Sequence, residues 1–146
     1  AHPDLYARGD YEPLETRGPL AGNLVAFRRS LDEHAAIVVV PRLVGQVING
    51  PADAPTGDIW RDTVVVLEPS QHTTRYRNEF TGELIESTGS DDESTLEVES
   101  ILSHFPVALL SENRHARLAH VIGQENNNPM NFSTNQSSTP LGAIIT

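Results

Sequence analysis

The 146 residues carry 20 acidic and 10 basic side chains, for a net charge of −10, and every basic residue is arginine. Such a balance repels phosphate backbones and anionic lipid surfaces, and no clustered arginine stripe offsets it, which excludes nucleic acid as a partner. Cysteine is absent, which removes disulfides, thiolate catalysis and Cys-ligated metals together.

At this length one domain around one core is expected. Hydrophobic residues make up 38% of the chain, and the shortfall lies in the last third, so the folded part is predicted to be smaller than the chain. The opening residues AHPDLYARGDYEP show no basic stretch followed by an apolar one, and no run approaches the roughly 20 apolar residues that span a bilayer. These features predict a soluble, cytoplasmic protein with no membrane partner. The first residue is not Met, which places the expected start of the natural protein upstream.

In chain order, Tyr11 to Arg17 reads as a short extended strand, and Pro13 assigns it to a sheet edge because proline donates no ladder hydrogen bond. Two apolar, β-branched-rich runs, Leu24–Arg29 and Ala36–Val40, flank the polar stretch Ser30–His34. They predict a hairpin whose second strand is central and covered on both faces. Gly45 to Asp58 contains three Gly and two Pro, the composition of a long surface loop. Further strands are predicted at Thr63–Leu67, Thr73–Phe80, Glu83–Glu86, a short piece at Leu96 and Val98, and Phe105–Leu110, with one helical turn over Glu99–His104. The acidic stretch Gly89–Glu93 lacks the alternating ligands of a calcium loop and reads as solvated.

Seven or eight short strands at regular spacing with little helix predict an all-β fold, an antiparallel β-sandwich. The domain is expected to span residues 1–112. Residues 113–146 are rich in Asn, Ser, Thr, Gln and Pro. Such a segment buries too little surface to offset its conformational entropy, and a disordered C-terminal tail is expected.

Tests for chemistry favour structural readings. The acidic candidates Asp10/Glu12, Glu68, Glu83/Glu86 and Glu97/Glu99 fall on turns or exposed alternating positions rather than across a cleft, as glycoside chemistry requires. His115 and His120, the closest His pair, are five apart and would point to different helix faces, so no metal site is specified. No G-x-S-x-G elbow or phosphate-cradling glycine motif occurs. No catalytic residue, cofactor site or metal site is predicted. Among the aromatics, Phe27, Phe80 and Phe105 sit in apolar strand patterns and read as core. Trp60 follows a Pro/Gly-rich loop, where a sugar contact and a packed interface are both open.

The order of short blocks carries a resemblance. Gly9-Asp10-Tyr11-Glu12-Pro13-Leu14-Glu15, Gly18-Pro19, Leu24-Val25-Ala26-Phe27-Arg28-Arg29, Val38-Val39-Val40-Pro41-Arg42-Leu43, Trp60-Arg61-Asp62-Thr63, Asn78-Glu79-Phe80-Thr81-Gly82-Glu83 and Phe105-Pro106-Val107-Ala108-Leu109-Leu110 follow one another. The series resembles the C-terminal region of maltooligosyl trehalose synthases, members of the α-amylase superfamily, over about residues 3–111. The resemblance implies a parent isomerase that converts the reducing-end α-1,4 linkage of a maltooligosaccharide to α,α-1,1 in trehalose biosynthesis. Its aspartate nucleophile and glutamate acid/base would sit on a (β/α)8 barrel upstream of this sequence. Residues 2–6 would then end the last barrel helix, and the chain alone would be an inactive fragment. It would be a partner of the catalytic barrel, with Pro41, Arg42 and Trp60 as candidate contacts to that barrel or to sugar. The other readings are a free-standing starch- or glucan-binding β-sandwich module, for which maltooligosaccharide is the ligand, and the C-terminal domain of another amylase-type enzyme.

Overall fold

The computed structural model describes residues 3–48, 50, 53–70 and 72–112. The tail expected at 113–146 lies outside the described residues. A helix, α1 (Pro3–Arg8), leads into strand β1 (Asp10–Pro13) and then β2 (Thr16–Arg17). The hairpin β3 (Leu24–Leu31) and β4 (His34–Pro41) comes next, then β5 (Val64–Leu67), β6 (Arg75–Asn78), β7 (Leu84–Glu86), β8 (Thr88–Gly89) and β9 (Ser94–Glu97). The short helix α2 (Val98–Ile101) precedes β10 (Ala108–Glu112). The strands form a six-stranded antiparallel sheet ordered β1-β3-β4-β10-β6-β7 and a four-stranded antiparallel sheet ordered β2-β5-β9-β8. The fold is an all-β sandwich.

The hairpin forms where the alternation predicts it, with Leu31 paired to His34 and the turn closed by Asp32 at φ 53°. Asp tolerates this left-handed conformation better than most residues. The opening strand differs from expectation, because it is two strands in two sheets. β1 pairs with β3 as an edge of the larger sheet, which suits Pro13, whereas β2 pairs with β5 in the other sheet. The crossing occurs at Leu14 and Glu15: the Leu14 N–H donates to Ala26 O, and Glu15 O accepts from the Val66 N–H. Leu14 packs against the core between the sheets. The described residues hold ten strands rather than seven or eight, and β2 and β8 are two residues long, too short for alternation to signal. Val98, expected in a strand, begins α2, and the closing strand starts at Ala108 rather than Phe105.

The core joins Ala26, Ile37, Val39, Ala108 and Leu110 of the larger sheet to Val65 and Leu96 of the smaller one. Val98, Ile101 and Leu102 from α2 and its end close it, together with Trp60 from the turn Gly57–Trp60. Asn78 is buried among them and fully used: its side-chain N–H donates to Ile101 O at 3.3 Å, and its carbonyl accepts from the Phe80 N–H at 3.1 Å. It thereby ties the end of β6 to α2. Asn78→Ala would leave both backbone groups without that partner, and a loss of about 2 kcal/mol or more is expected in urea unfolding. An unchanged midpoint would remove this account.

Candidate functional site

The two faces of the larger sheet differ in purpose. Alternation along β3 sends Leu24 and Ala26 into the core and Val25, Phe27 and Arg29 outward. The register places Val40 beside Val25, Val38 beside Phe27, and Leu109 beside Val38. An apolar strip therefore runs across the outer face, with Val38, Val40 and Leu109 only half-buried. At one margin the Tyr11 ring lies 5.0 Å from Phe27 and is 57% exposed. Every large hydrophobic exposed among the described residues lies on this sheet or on segments flanking its strands, and none on the four-stranded sheet. The expectation that β4 is covered on both faces is met on the core side, at Ile37 and Val39, and on the outer side only at Ala36, with Val38 and Val40 half-buried.

One end of the same sheet adds to the patch. Ala108 pairs with Val39, so the segment after β4 and the segment before β10 share that end. Leu43 there is 75% exposed and has φ 51°, a left-handed conformation that is unusual for a bulky side chain. Phe80 and Phe105, 55% and 46% exposed, face one another with ring centroids 5.6 Å apart. The reading of these two phenylalanines as core is thus corrected: they lie outside the strands, on the turn after β6 and on the approach to β10. Phe27 is also not a core residue, because the period of two turns it to the outer face.

The predicted contact residues separate. Pro41 ends β4 opposite Leu24, half-buried, and Arg42 is exposed beside it. The Arg42 backbone N–H donates to Asn23 O at 2.7 Å, and its Nε donates to Gly22 O at 3.1 Å. Asn23 answers through its side-chain N–H to Leu43 O at 3.2 Å. Arg42 therefore clasps the start of β3 to the end of β4 and positions Leu43. Trp60 is a correction. Its ring is fully buried and its Nε1–H donates to Pro55 O at 2.8 Å, so it presents no face to a sugar or to another domain. A large aromatic placed after a loop closes the core here because its polar tip finds a carbonyl within that loop.

Beside the phenylalanine pair, the Glu83 carboxylate accepts hydrogen bonds from Thr81 Oγ1 at 2.9 Å and Ser103 Oγ at 3.3 Å, and it meets His104 Nδ1 at 2.9 Å. The Thr81 hydrogen bond, ahead of the His104 charge, holds Glu83 below the usual carboxylate range despite an opposing effect of burial. Ser, His and Glu together invite a nucleophilic reading, but the Ser103 hydroxyl and the Glu83 carboxylate converge on one ring nitrogen, Nδ1. A relay needs the two nitrogens to serve different partners. The cluster is a clamp between the 81–83 turn and the 103–104 segment. A depressed folded-state pKa gives stability that is present above the unfolded value of 4.5 and lost as pH falls through the folded value. Glu83→Gln is expected to lower the melting temperature above about pH 4.5, to leave it nearly unchanged at pH well below the folded-state pKa, and so to flatten the fall of melting temperature with acid.

Among the described residues, no three His, Asp or Glu side chains gather to hold a metal ion, and no helix is long and apolar enough to cross a membrane. At the opposite end of the sandwich from Phe80 and Phe105, the sheets part into a cleft of about 510 Å³. It brings together Glu12 and Glu68, acids that lie far apart in the chain, with Glu15, Glu112 and Arg28. The sequence held no signal for that gathering, because it depends on β2 and β5 joining the second sheet. Compared with protein-family models, curated proteins and solved structures, the chain matches none.

Proposed function

We propose that this chain is the non-catalytic C-terminal β-domain of a maltooligosyl trehalose synthase, acting in the cytoplasm as a support for a (β/α)8 catalytic barrel. The single observation that carries the supporting role is the confinement of exposed large apolar side chains to the six-stranded sheet and its ends. A contiguous apolar face on one side of a small domain is the mark of a surface covered by another protein unit. The order of the sequence blocks supplies the parent family. In this role the domain does no chemistry: it buries the strip around Val25, Phe27, Val38 and Leu109, with Leu43 as a projecting anchor. Arg42 acts by fixing Leu43 rather than by contacting substrate.

The test supplies this 146-residue chain in trans to a maltooligosyl trehalose synthase barrel lacking its own C-terminal domain. Association and restored formation of trehalose-ended product from maltopentaose are expected, with none formed by this chain alone. Val25→Lys, on the outer face, is expected to abolish association while changing the urea midpoint by an amount equivalent to no more than about 0.5 kcal/mol. Product from the isolated chain, or association that survives Val25→Lys and Leu43→Ser together, would overturn the reading.

A further inference from the structure

Charge is sorted between the two sides of the larger sheet. Its inner side ends in Glu12 and Glu112 around Arg28. By alternation, the outward positions of its strands carry Arg29, Arg75 and Arg77 and a single acid, Glu86. In a chain of 20 acidic and 10 basic side chains, the sign of this face is reversed. Glu86 is already paired with Arg75 at 2.5 Å, and Arg29 donates to Tyr6 O at 2.5 Å. The Arg77 side chain is exposed and makes neither a hydrogen bond nor an ion pair among the described residues. Glu79, just past β6, is occupied by the Ser111 hydroxyl.

The strand registers set the cations in one line beside the apolar strip. Tyr11, Arg29, Ala36, Ser111, Arg77 and Leu84 lie side by side across all six strands, and the next row is Phe27, Val38 and Leu109. Three strand spacings, about 14 Å, separate Arg29 from Arg77, and the small side chains of Ala36 and Ser111 between them allow close approach. One helix is already seated here, since α1 lies against β3 with Leu5 buried and Tyr6 O on Arg29. We propose that the partner covering this face presents an acidic amphipathic helix. Its apolar stripe lies on Phe27, Val38 and Leu109, and its carboxylates meet Arg77 and the remaining N–H groups of Arg29. The inference rests on the reading of this face as an interface with another protein unit, not on the parent family. A purely apolar partner would strip water from Arg77 and give nothing back, and a basic one would repel it. The net charge of −10 on the chain sets the face against an anionic bilayer.

The probe is a synthetic helix of about 18 residues with a Leu/Ala stripe flanked by Glu, compared with the same peptide carrying Lys in place of Glu. Each is titrated into the isotope-labelled full chain and followed by NMR. The Glu peptide is expected to shift the amides of Phe27, Val38, Arg77 and Leu109 and to bind about tenfold tighter than the Lys peptide at low salt, an advantage that shrinks toward about 1 M salt. Arg77→Glu is expected to weaken the Glu peptide about tenfold and to strengthen the Lys peptide, and Arg77→Gln to weaken the Glu peptide about threefold. A gain for the Lys peptide cannot come from unfolding, so the exchange of preference stays decisive if Arg77→Glu melts early. Arg61→Glu, the same charge change in the turn before β5 of the other sheet, is expected to bind as the parent does. No shift on this face, equal binding of the two peptides, or binding unaffected by Arg77→Glu overturns the proposal. So does tighter binding to phosphatidylglycerol vesicles than to the Glu peptide, which marks a lipid surface. None of these readouts needs a catalytic barrel. If the barrel fails to associate in trans while the Glu peptide binds, the synthase parentage falls alone; if that association survives Arg77→Glu, this inference falls alone.

Discussion

Replacing Trp60 with alanine is expected to cost about 3–5 kcal/mol of folding stability, a large part of the total of about 5–15 kcal/mol that a domain possesses. The ring is fully buried in the cluster formed by both sheets and α2, and backbone on either side holds its position. Thr63 N–H donates to Trp60 O at 3.0 Å, and Val98 N–H donates to Thr63 O at 3.0 Å. A cavity here cannot collapse easily, because its walls are the inner faces of two hydrogen-bonded sheets. Urea unfolding followed by circular dichroism measures the loss, since the only tryptophan is the one removed. Trp60→Phe isolates the polar part, because it retains most of the packing but leaves Pro55 O without its donor at 2.8 Å. A cost of about 1–2 kcal/mol is expected from that substitution. A loss below about 1 kcal/mol for Trp60→Ala would contradict the central position given to the ring.

The same residue shows where reading the sequence stops. Trp60 after a Pro/Gly-rich loop is ambiguous between a sugar contact and a packed ring, because local composition says nothing about which carbonyl the indole N–H will meet. The β3–β4 hairpin, by contrast, is legible since both its period and its turn are local. So is the edge position of Pro13, which follows from a missing donor. Phe80 and Phe105 were not legible as surface residues, because an apolar pattern marks where a strand could run but not where the ladder ends. The cleft was beyond reach for a related reason. Glu12 and Glu112 lie on β1 and β10 of the larger sheet, and Glu68 joins them from the end of β5 in the smaller one, so their meeting rests on non-local strand pairing and sheet packing. The apolar outer strip lies between these cases: the continuous run Ala36–Val40 signalled a strand covered on both faces, and the structure leaves its outer side half-open at Val38 and Val40, which the docking proposal uses.

The exchange of the chain from the first sheet to the second at Leu14 and Glu15 depends on Gly18, and Gly18→Ala is the second substitution expected to have a large effect. Gly18 has φ +116°, and a Cβ there would lie 2.1 Å from the backbone oxygen of Asp62 and 2.7 Å from Thr63 Cα. Both atoms belong to backbone at the start of β5, so no side chain can swing aside. The close approach is built in, because β2 must pair Arg17 with Val64 and the chain must then turn at once toward the start of β3. Gly18 O accepts from the Ala21 N–H at 3.2 Å in that turn. An alanine would carry the conformational penalty of a side chain at positive φ and would also push β2 from β5. A loss of about 3 kcal/mol or more is expected. Two other glycines separate the causes. Gly82 has φ +78° with open space around it, so Gly82→Ala should show the conformational penalty alone, about 1 kcal/mol, whereas Gly22, with neither constraint, should tolerate alanine within about 0.5 kcal/mol. Urea midpoints for the three variants should therefore fall in the order Gly22→Ala, Gly82→Ala, Gly18→Ala, the last lowest. Equal midpoints for Gly18→Ala and Gly82→Ala would show that the backbone at Asp62 yields readily to a Cβ at residue 18 and that the approach there is not tight.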